Sequence, residues 1–400
     1  MARDVIASSH QHDRLAIITD IIAPYRVPVF NCLAEMLGDR LKVIFMSATA
    51  PNRKWTVPYG TIRFKYEILR GVNTSLVPRN SFARYWNLGL GNALREFAPT
   101  VVVVGGYYHP TSFLAAWHAK RLKAALYLWC ESTLYDKRSG LRVVEFIKRR
   151  YLFRCDGFIV PGTASQQYLQ AYGIGADRIT VAPNAVDSDV FLAASEKFRT
   201  EEIRRKFRAE HGLPEVLLLF VGRLSPEKGF PVVLEVAALL AAGGQEVGVL
   251  VVGDGPHRAQ YEKMVASRSL RNILFLGFKQ QRELPFYYSQ GDILLVPSIS
   301  EPWGLVVNEA MTCGVPVLCS PRVGAALDLV MDGRTGYRCH GPGEFARRVQ
   351  ELIICQSLLE KMSEECQRVA LLFSPLACAQ GFLNILAREC EGKSPFGQCV

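Results

Sequence analysis

The sequence predicts an α/β protein with two doubly wound domains facing each other across a cleft. Three observations predict it. Apolar runs of strand length alternate with helix-length segments along most of the chain, two such series are separated by a pause near Pro183–Phe191, and glycines and charged residues gather just after the strand-like runs. Strands separated by helices imply right-handed βαβ units and hence parallel sheets. At 400 residues the chain has room for two cores.

In the first series, strands are expected at Leu15–Thr19, Lys42–Met46, Val101–Gly105, Ala125–Trp129, Gly157–Val160 and Ile179–Ala182. Helices are expected at Pro28–Leu37, Ser112–Arg121 and Gly140–Phe153. Four valines at 101–104 have no polar residue between them, as a strand buried on both faces requires. After a charged helical segment, Ser195–His211, the second series places strands at Val216–Val221, Val247–Val252, Ile273–Leu276, Ile293–Pro297 and Val315–Cys319. Its helices are Pro231–Ala242, His257–Ser267, Arg282–Ser289 and Leu305–Cys313, and a last helix runs from Leu376 to Arg388. The expected division is residues 1–190, 191–375, and a closing helix with its tail at 376–400.

Composition excludes several classes. With 49% hydrophobic and 21% charged residues the chain is neither disordered nor fibrous. Its longest uninterrupted apolar runs have strand length, short of the roughly 20 residues of a membrane span. The first fourteen residues, with His10, Gln11 and His12, carry no apolar core of a secretory signal, so a cytoplasmic protein is expected. The 11 cysteines form no C-x-x-C pair and read as small apolar side chains. The net charge of +10 lies wholly in residues 1–192, which hold 24 Lys and Arg against 14 Asp and Glu. That half calls for an anionic partner or is simply a solvated basic face. No basic–aromatic reader motif accompanies it, so nucleic acid is not an expected partner.

Ligands of doubly wound sheets bind beyond the carboxyl ends of the strands. Three motifs of the second series lie there. Gly222-Arg223-Leu224-Ser225-Pro226-Glu227-Lys228-Gly229 puts two cations at a strand tip before a helix, a pattern suited to a diphosphate but shared with ordinary surface turns. Gly253-Asp254-Gly255-Pro256 lacks the third glycine of G-x-G-x-x-G, and a plain strand-to-helix turn fits it better than a phosphate loop. Glu301-Pro302-Trp303-Gly304-Leu305-Val306-Val307-Asn308-Glu309 sets two carboxylates around a helix start whose free amides suit an anion. Carboxylates there accept hydrogen bonds from sugar or ribose hydroxyls, or merely favour the helix dipole. Together the three supply cations, amides and carboxylates on one sheet edge, the inventory of a diphosphate, a ribose and a sugar.

At this point the second half resembles the retaining glycosyltransferase family 4. Val221–Gly229, Val252–Pro256, Leu276-Gly277, Gly291-Asp292, Pro297–Pro316 and Asp332–Gly336 occur in the family's order, and the E-x7-E element followed by A-M-x-x-G-x-P is the most specific. Pro183-Asn184-Ala185-Val186-Asp187 is similar to its hinge motif, with alanine in place of glycine, and the last helix to the one that crosses back onto the first domain. The resemblance implies a GT-B fold of two Rossmann-like domains, a nucleotide-diphosphate-sugar co-substrate, no metal and no cofactor, and transfer of a hexosyl group with retention.

By position it implies that Arg223 and Lys228 neutralise the diphosphate, Glu301 contacts sugar hydroxyls and Glu309 holds the ribose. Amides around Gly304, Leu305 and Val306 would bind phosphate and sugar, Phe278 and Lys279 would border the base, and Gly222 and Gly253 would allow close approach. Three departures bear on the first half and the sugar site. The loop Asp20–Arg26 has no glycine, and its Tyr25 and Arg26 are expected to border the acceptor or the diphosphate. Where many members carry a histidine this chain reads Cys130-Glu131-Ser132, so Glu131 and the loop histidine His109 are both candidates for the pocket. G-G-x-x-E appears as Gly324-Ala325-Ala326-Leu327-Asp328. A non-catalytic sugar-nucleotide-binding protein, an epimerase and a phosphorylase share the architecture and remain alternatives.

The stretch Lys137–Arg154 interleaves Lys137, Arg138, Arg142, Lys148, Arg149, Arg150 and Arg154 with Leu141, Val144, Ile147, Tyr151 and Leu152. It suits a helix lying on an anionic membrane, with a lipid-linked acceptor. An outer helix that buries its apolar side in the domain has the same pattern, and that reading is slightly favoured.

Overall fold

The computed structural model describes residues 13–50, 53–74, 84–136 and 142–392. The first half forms β1 (Leu15–Thr19), α1 (Val27–Leu37), β2 (Leu41–Phe45), β3 (Tyr66–Ile68), β4 (Val72–Thr74), β5 (Arg84–Trp86), α2 (Leu90–Phe97), β6 (Val101–Gly105), α3 (Pro110–Leu122), β7 (Ala125–Trp129), α4 (Arg142–Leu152), β8 (Gly157–Val160), α5 (Thr163–Ala171) and β9 (Ile179–Val181). Its main sheet has seven strands in the order β3-β2-β1-β6-β7-β8-β9, all parallel.

Next come α6 (Ser188–Phe198), α7 (Glu201–His211), β10 (Val216–Val221), α8 (Phe230–Ala242), β11 (Val247–Val252), α9 (Arg258–Ser267), β12 (Ile273–Gly277), α10 (Leu284–Gln290), β13 (Ile293–Val296), α11 (Leu305–Thr312), β14 (Val317–Cys319), α12 (Ala326–Leu329), β15 (Gly336–Arg338), α13 (Pro342–Ile354), α14 (Gln356–Ala370) and α15 (Pro375–Gly392). The second sheet is parallel and six-stranded, in the order β12-β11-β10-β13-β14-β15. In each sheet the strand order reverses at the first strand of the series, β1 or β10, and a crevice opens beyond that strand's carboxyl end.

Each sheet carries a core on both faces. In β1, Leu15 and Ile17 enter one apolar cluster and Ala16 and Ile18 the other, and in β10 Leu217 and Leu219 part from Leu218 and Phe220 in the same way. Side chains of a strand alternate between faces, so burial of both faces removes polar residues from the whole run. The described cysteines are free thiols and most are buried.

The closing helix returns to the first half. Cys378, Ala379, Phe382 and Leu386 join the cluster of Phe30 and Trp129, and the Phe382 and Trp129 rings meet edge-on at 5.0 Å. The Tyr127 hydroxyl donates to Glu389 at 2.8 Å. By length and mean hydropathy the segment Gln356–Glu389, which spans α14 and α15, is long and apolar enough to cross a membrane, although its uninterrupted apolar runs are short. Half of its apolar window is buried in the fold, which accounts for its composition. The charged segment expected as one helix at Ser195–His211 is two: the first ends at Phe198 with Arg199 as its C-cap, and Thr200 caps the second, its Oγ1 accepting from the Ile203 amide.

Candidate active site

Loops at the carboxyl ends of β10, β11 and β12 and the start of α11 form one wall of a cleft of about 520 Å³. Gly222, Arg223, Gly253, Phe278, Lys279, Val306 and Glu309 line that wall. Two glycines set its shape. Gly253 has φ +144, and a Cβ there would collide with the Gly222 carbonyl, so the tips of β10 and β11 approach as only glycine permits. Gly304 has φ +97 and is the N-cap of α11, so the chain turns sharply out of β13 and presents the first amides of the helix.

Glu309, in the second turn of α11, is 7% exposed. Its carboxylate accepts a hydrogen bond from the Tyr288 hydroxyl at 2.7 Å. Burial pushes its pKa up to about 7, while the Tyr288 bond pulls the other way. Lys228 and Glu301 pair with each other. The loops that carry them are tied by the Ile299 amide bonding to the Glu227 carbonyl at 2.8 Å. A Cβ on Gly304 would stand 3.1 Å from the Glu301 Cγ, so this ion pair sits beside the helix start. Lys228, Glu301, Gly304 and Leu305 are therefore neighbours of the cleft and not part of its lining.

The facing wall comes from the first half. Tyr25 lines the cleft with Arg53, Lys54 and Trp55, and the Tyr25 and Trp55 rings meet edge-on at 6.4 Å. Arg26 turns away from the cleft. Its guanidinium lies 4.1 Å over the Trp129 ring, donates to Thr19 Oγ1 at 3.0 Å and pairs with Glu131 at 3.1 Å. Burial disfavours its charge, but Glu131 together with Tyr25, Asp20 and Tyr108 outweighs that and its pKa is raised. Glu131 also accepts from Asn184 at 3.3 Å. So Arg26 and Glu131, candidates from loops 105 positions apart, neutralise each other at the tips of β1 and β7.

His109 does not line the cleft, which corrects the expectation that it is a pocket residue. It is 2% exposed, and its Nδ1 accepts from the Tyr85 amide at 3.4 Å. As N-cap of α3 it is covered by β5, whose pairing with the helix no local sequence pattern announced.

The family profile described as Glycosyltransferase Family 4 matches residues 31–190, and that described as Glycosyl transferases group 1 matches residues 201–369. It belongs to the family-4-like glycosyltransferases of the GT-B fold. Among curated relatives, alpha-D-kanosaminyltransferase of Streptomyces kanamyceticus is 33% identical over 206 residues, half of this chain and 51% of that protein. D-inositol 3-phosphate glycosyltransferase 2 of Catenulispora acidiphila is 31% identical over 241 residues, 57% of this chain and 54% of that protein. The chain thus spans about half the length of these relatives. HepE of Anabaena in complex with UDP shares the fold with a TM-score of 0.73 at 18% identity, over 94% of this chain and all of that one. A glycosyltransferase of Rickettsia africae ESF-5 does so with a TM-score of 0.74 at 15% identity, over 96% of this chain and all of that one.

In this GT-B chain the departure at Asp328 has a use. Its carboxylate accepts from the Thr163 amide at 3.0 Å and from the Thr163 hydroxyl at 2.6 Å. Gly162, the N-cap of α5, has no side chain, so Asp328 caps that helix from the other half of the molecule. Nearer the cleft, Lys54 bonds to Asp254 at 2.6 Å, and Gln280 bonds to both the Thr56 amide and the Lys54 carbonyl. None of Lys54, Trp55, Gln280 or Tyr288 lies in a recognisable motif, so sequence reasoning passed over all four.

Proposed function

We propose that the protein is a retaining glycosyltransferase that moves a hexosyl group from a nucleotide-diphosphate sugar to an acceptor hydroxyl. Residues 191–375 hold the donor and residues 1–190 the acceptor. The observation that carries this reading is Glu309. A carboxylate buried in a cleft and paired, among the described residues, only with a neutral tyrosine lacks a partner that accounts for its burial, and ribose hydroxyls supply one. Beside it stand the Arg223 cation and the α11 amides, which suit a diphosphate.

In this reading Arg223 and Lys228 hold the diphosphate, and the donor takes Lys228 out of its pairing with Glu301. Glu301 then accepts hydrogen bonds from the sugar hydroxyls. Phe278 and Lys279 border the base, and Gly304, Leu305 and Val306 give amides to phosphate and sugar. Gly222 and Gly253 leave room for the approach. Tyr25 meets the acceptor, and the Arg26–Glu131 pair stiffens the loop that carries it.

Chemistry follows from these positions. The bond between the anomeric carbon and the phosphate oxygen breaks, and the acceptor oxygen bonds to that carbon on the same face. Its proton passes to the departing phosphate, so the side chains position and neutralise. Two cations offset the leaving charge, and no divalent metal or other cofactor is called for. We also propose a cytoplasmic location, with an acceptor that is anionic or linked to lipid.

Support comes from relatives named as glycosyltransferases and from HepE structures that hold UDP or UDP-glucose. Offering UDP-, GDP- and dTDP-sugars to the purified chain tests the proposal. A nucleotide sugar should raise the melting temperature and be hydrolysed slowly, with EDTA making no difference. Indifference to every donor would sink the reading.

A further inference from the structure

We propose that the outward face of α4, with the adjoining face of α3, docks the protein on an anionic lipid bilayer. The sequence slightly favoured a helix that buries its apolar side. In the structure only Tyr151 and Leu152 of α4 are buried. Val143 is 69% exposed, Phe146 60% and Phe153, just past the helix, 52%. At 100° per residue Val143, Phe146, Arg150 and Phe153 fall in one arc, opposite Lys148 and Leu152. Lys148 is turned inward, paired with Glu145 at 2.9 Å and 4.6 Å from the Tyr172 ring centre. The helix therefore faces solvent with apolar side chains and faces the domain with its one lysine.

The neighbouring helix continues the surface. Phe113 and Trp117 lie one turn apart on α3, and Trp117 is 52% exposed. The Phe113 ring meets Tyr151 of α4 edge-on at 5.1 Å. Arg121 covers Trp117 at 4.6 Å, and Arg150 lies 5.8 Å from Phe146. Among the described residues no ion pair involves Arg121, Arg142, Arg149, Arg150 or Arg154. An apolar patch rimmed by unpaired cations is what a surface needs to sit at headgroup depth, with its guanidinium groups reaching the phosphates. The charge complementarity selects an anionic bilayer, and it agrees with an excess of +10 confined to residues 1–192.

The patch is joined to the strand-tip loops: Tyr151 of α4 lies 6.3 Å from the Tyr107 ring after β6, whose hydroxyl is 3.5 Å from Ser132 after β7. The loop after β7 carries Glu131 at the first wall and, three and four residues on, Leu134 and Tyr135, which are exposed. A docked protein would hold this wall close to the bilayer, where a lipid-linked acceptor presents its hydroxyl. That last step rests on the transferase reading, whereas the docking itself does not.

Co-sedimentation of the full chain with vesicles tests it. Vesicles of phosphatidylglycerol and phosphatidylcholine should bind the protein, phosphatidylcholine alone should not, and added salt should weaken binding. Phe146→Ser with Phe153→Ser, and separately Arg149→Glu with Arg150→Glu, should each lower binding about tenfold or more. Thermal stabilisation by soluble nucleotide sugar, read on the same samples, should stay unchanged, which confirms folding and separates docking from transfer. No binding of the wild type to the anionic vesicles would overturn the proposal. So would equal binding by the variants. A wild-type dimer on gel filtration that becomes a monomer in the variants, with vesicle binding kept, would assign this face to a second copy of the chain and overturn it as well.

Discussion

The two walls of the cleft handle charge in opposite ways. On the first wall, Arg26 and Glu131 neutralise each other at the strand tips, held by Trp129, Thr19 and Asn184. What faces the cleft there is Tyr25 and Trp55, with Arg53 stacked 4.8 Å over the Trp55 ring and Lys54 already bonded across to Asp254. On the second wall, Arg223 has no carboxylate partner among the described residues, and Glu309 is buried against a neutral hydroxyl. A wall whose charges are paired or stacked on rings is stiff and recognises shape. One that leaves them unsatisfied spends folding stability on readiness for a charged, hydroxyl-bearing ligand.

This contrast can be broken from either side. The largest effect is expected on the second wall. Arg223→Ala should lower kcat/KM about 100- to 1000-fold, about 3–4 kcal/mol, with little change in melting temperature. A large loss of stability instead would mean that Arg223 is structural. The first wall should respond the other way. Glu131→Ala leaves the Arg26 cation enclosed without its partner and should destabilise the fold by about 2–3 kcal/mol, reduced by the partial exposure of Glu131. Chemical denaturation measures this, and a variant as stable as wild type would dissolve the contrast.

Glu309 sharpens the comparison through pH. Its pKa is raised to about 7 in the folded chain, from an ordinary value of 4.5, by burial. Folding then favours the protonated acid. The penalty is absent below about pH 4.5, grows as pH rises to about 7 and is constant above, at about 3 kcal/mol at most. Glu309→Gln should flatten the fall in stability between those limits. Nucleotide binding, which favours the carboxylate, should weaken in the wild type as pH drops below 7. A Gln variant with unchanged nucleotide affinity at pH 8 would remove the ribose assignment. The smallest effect belongs to the tie between the halves. Asp328→Ala removes a helix cap and should cost about 1 kcal/mol, seen as a slightly wider molecule in small-angle scattering.

Legibility followed distance along the chain. Strands at Val101–Gly105, Ala125–Trp129, Val216–Val221 and Val247–Val252 have the bounds their sequence predicts, since burial on both faces leaves an uninterrupted apolar run. β3, β4 and β5, three residues each, left no such run and went unread, as did α5, α13 and α14. Glu309 and Arg223 were found because a motif surrounds each. Tyr288, 21 residues away on another helix, was not, although it is the group that Glu309 touches. His109 shows the converse, since a histidine after a buried strand reads as a pocket residue until another strand is folded over it.

By itself the sequence determined the two parallel sheets, the edge on which each motif falls and the sign of the charge in each half. These follow from local alternation and composition, which short-range physics writes into adjacent residues. Only the tertiary structure decided which charges meet. Arg26 finds Glu131, Lys228 finds Glu301, Asp328 caps a helix of the other half, and α4 turns its phenylalanines outward. Pairing and exposure depend on what packs alongside, and residues tens to hundreds of positions apart supply those neighbours.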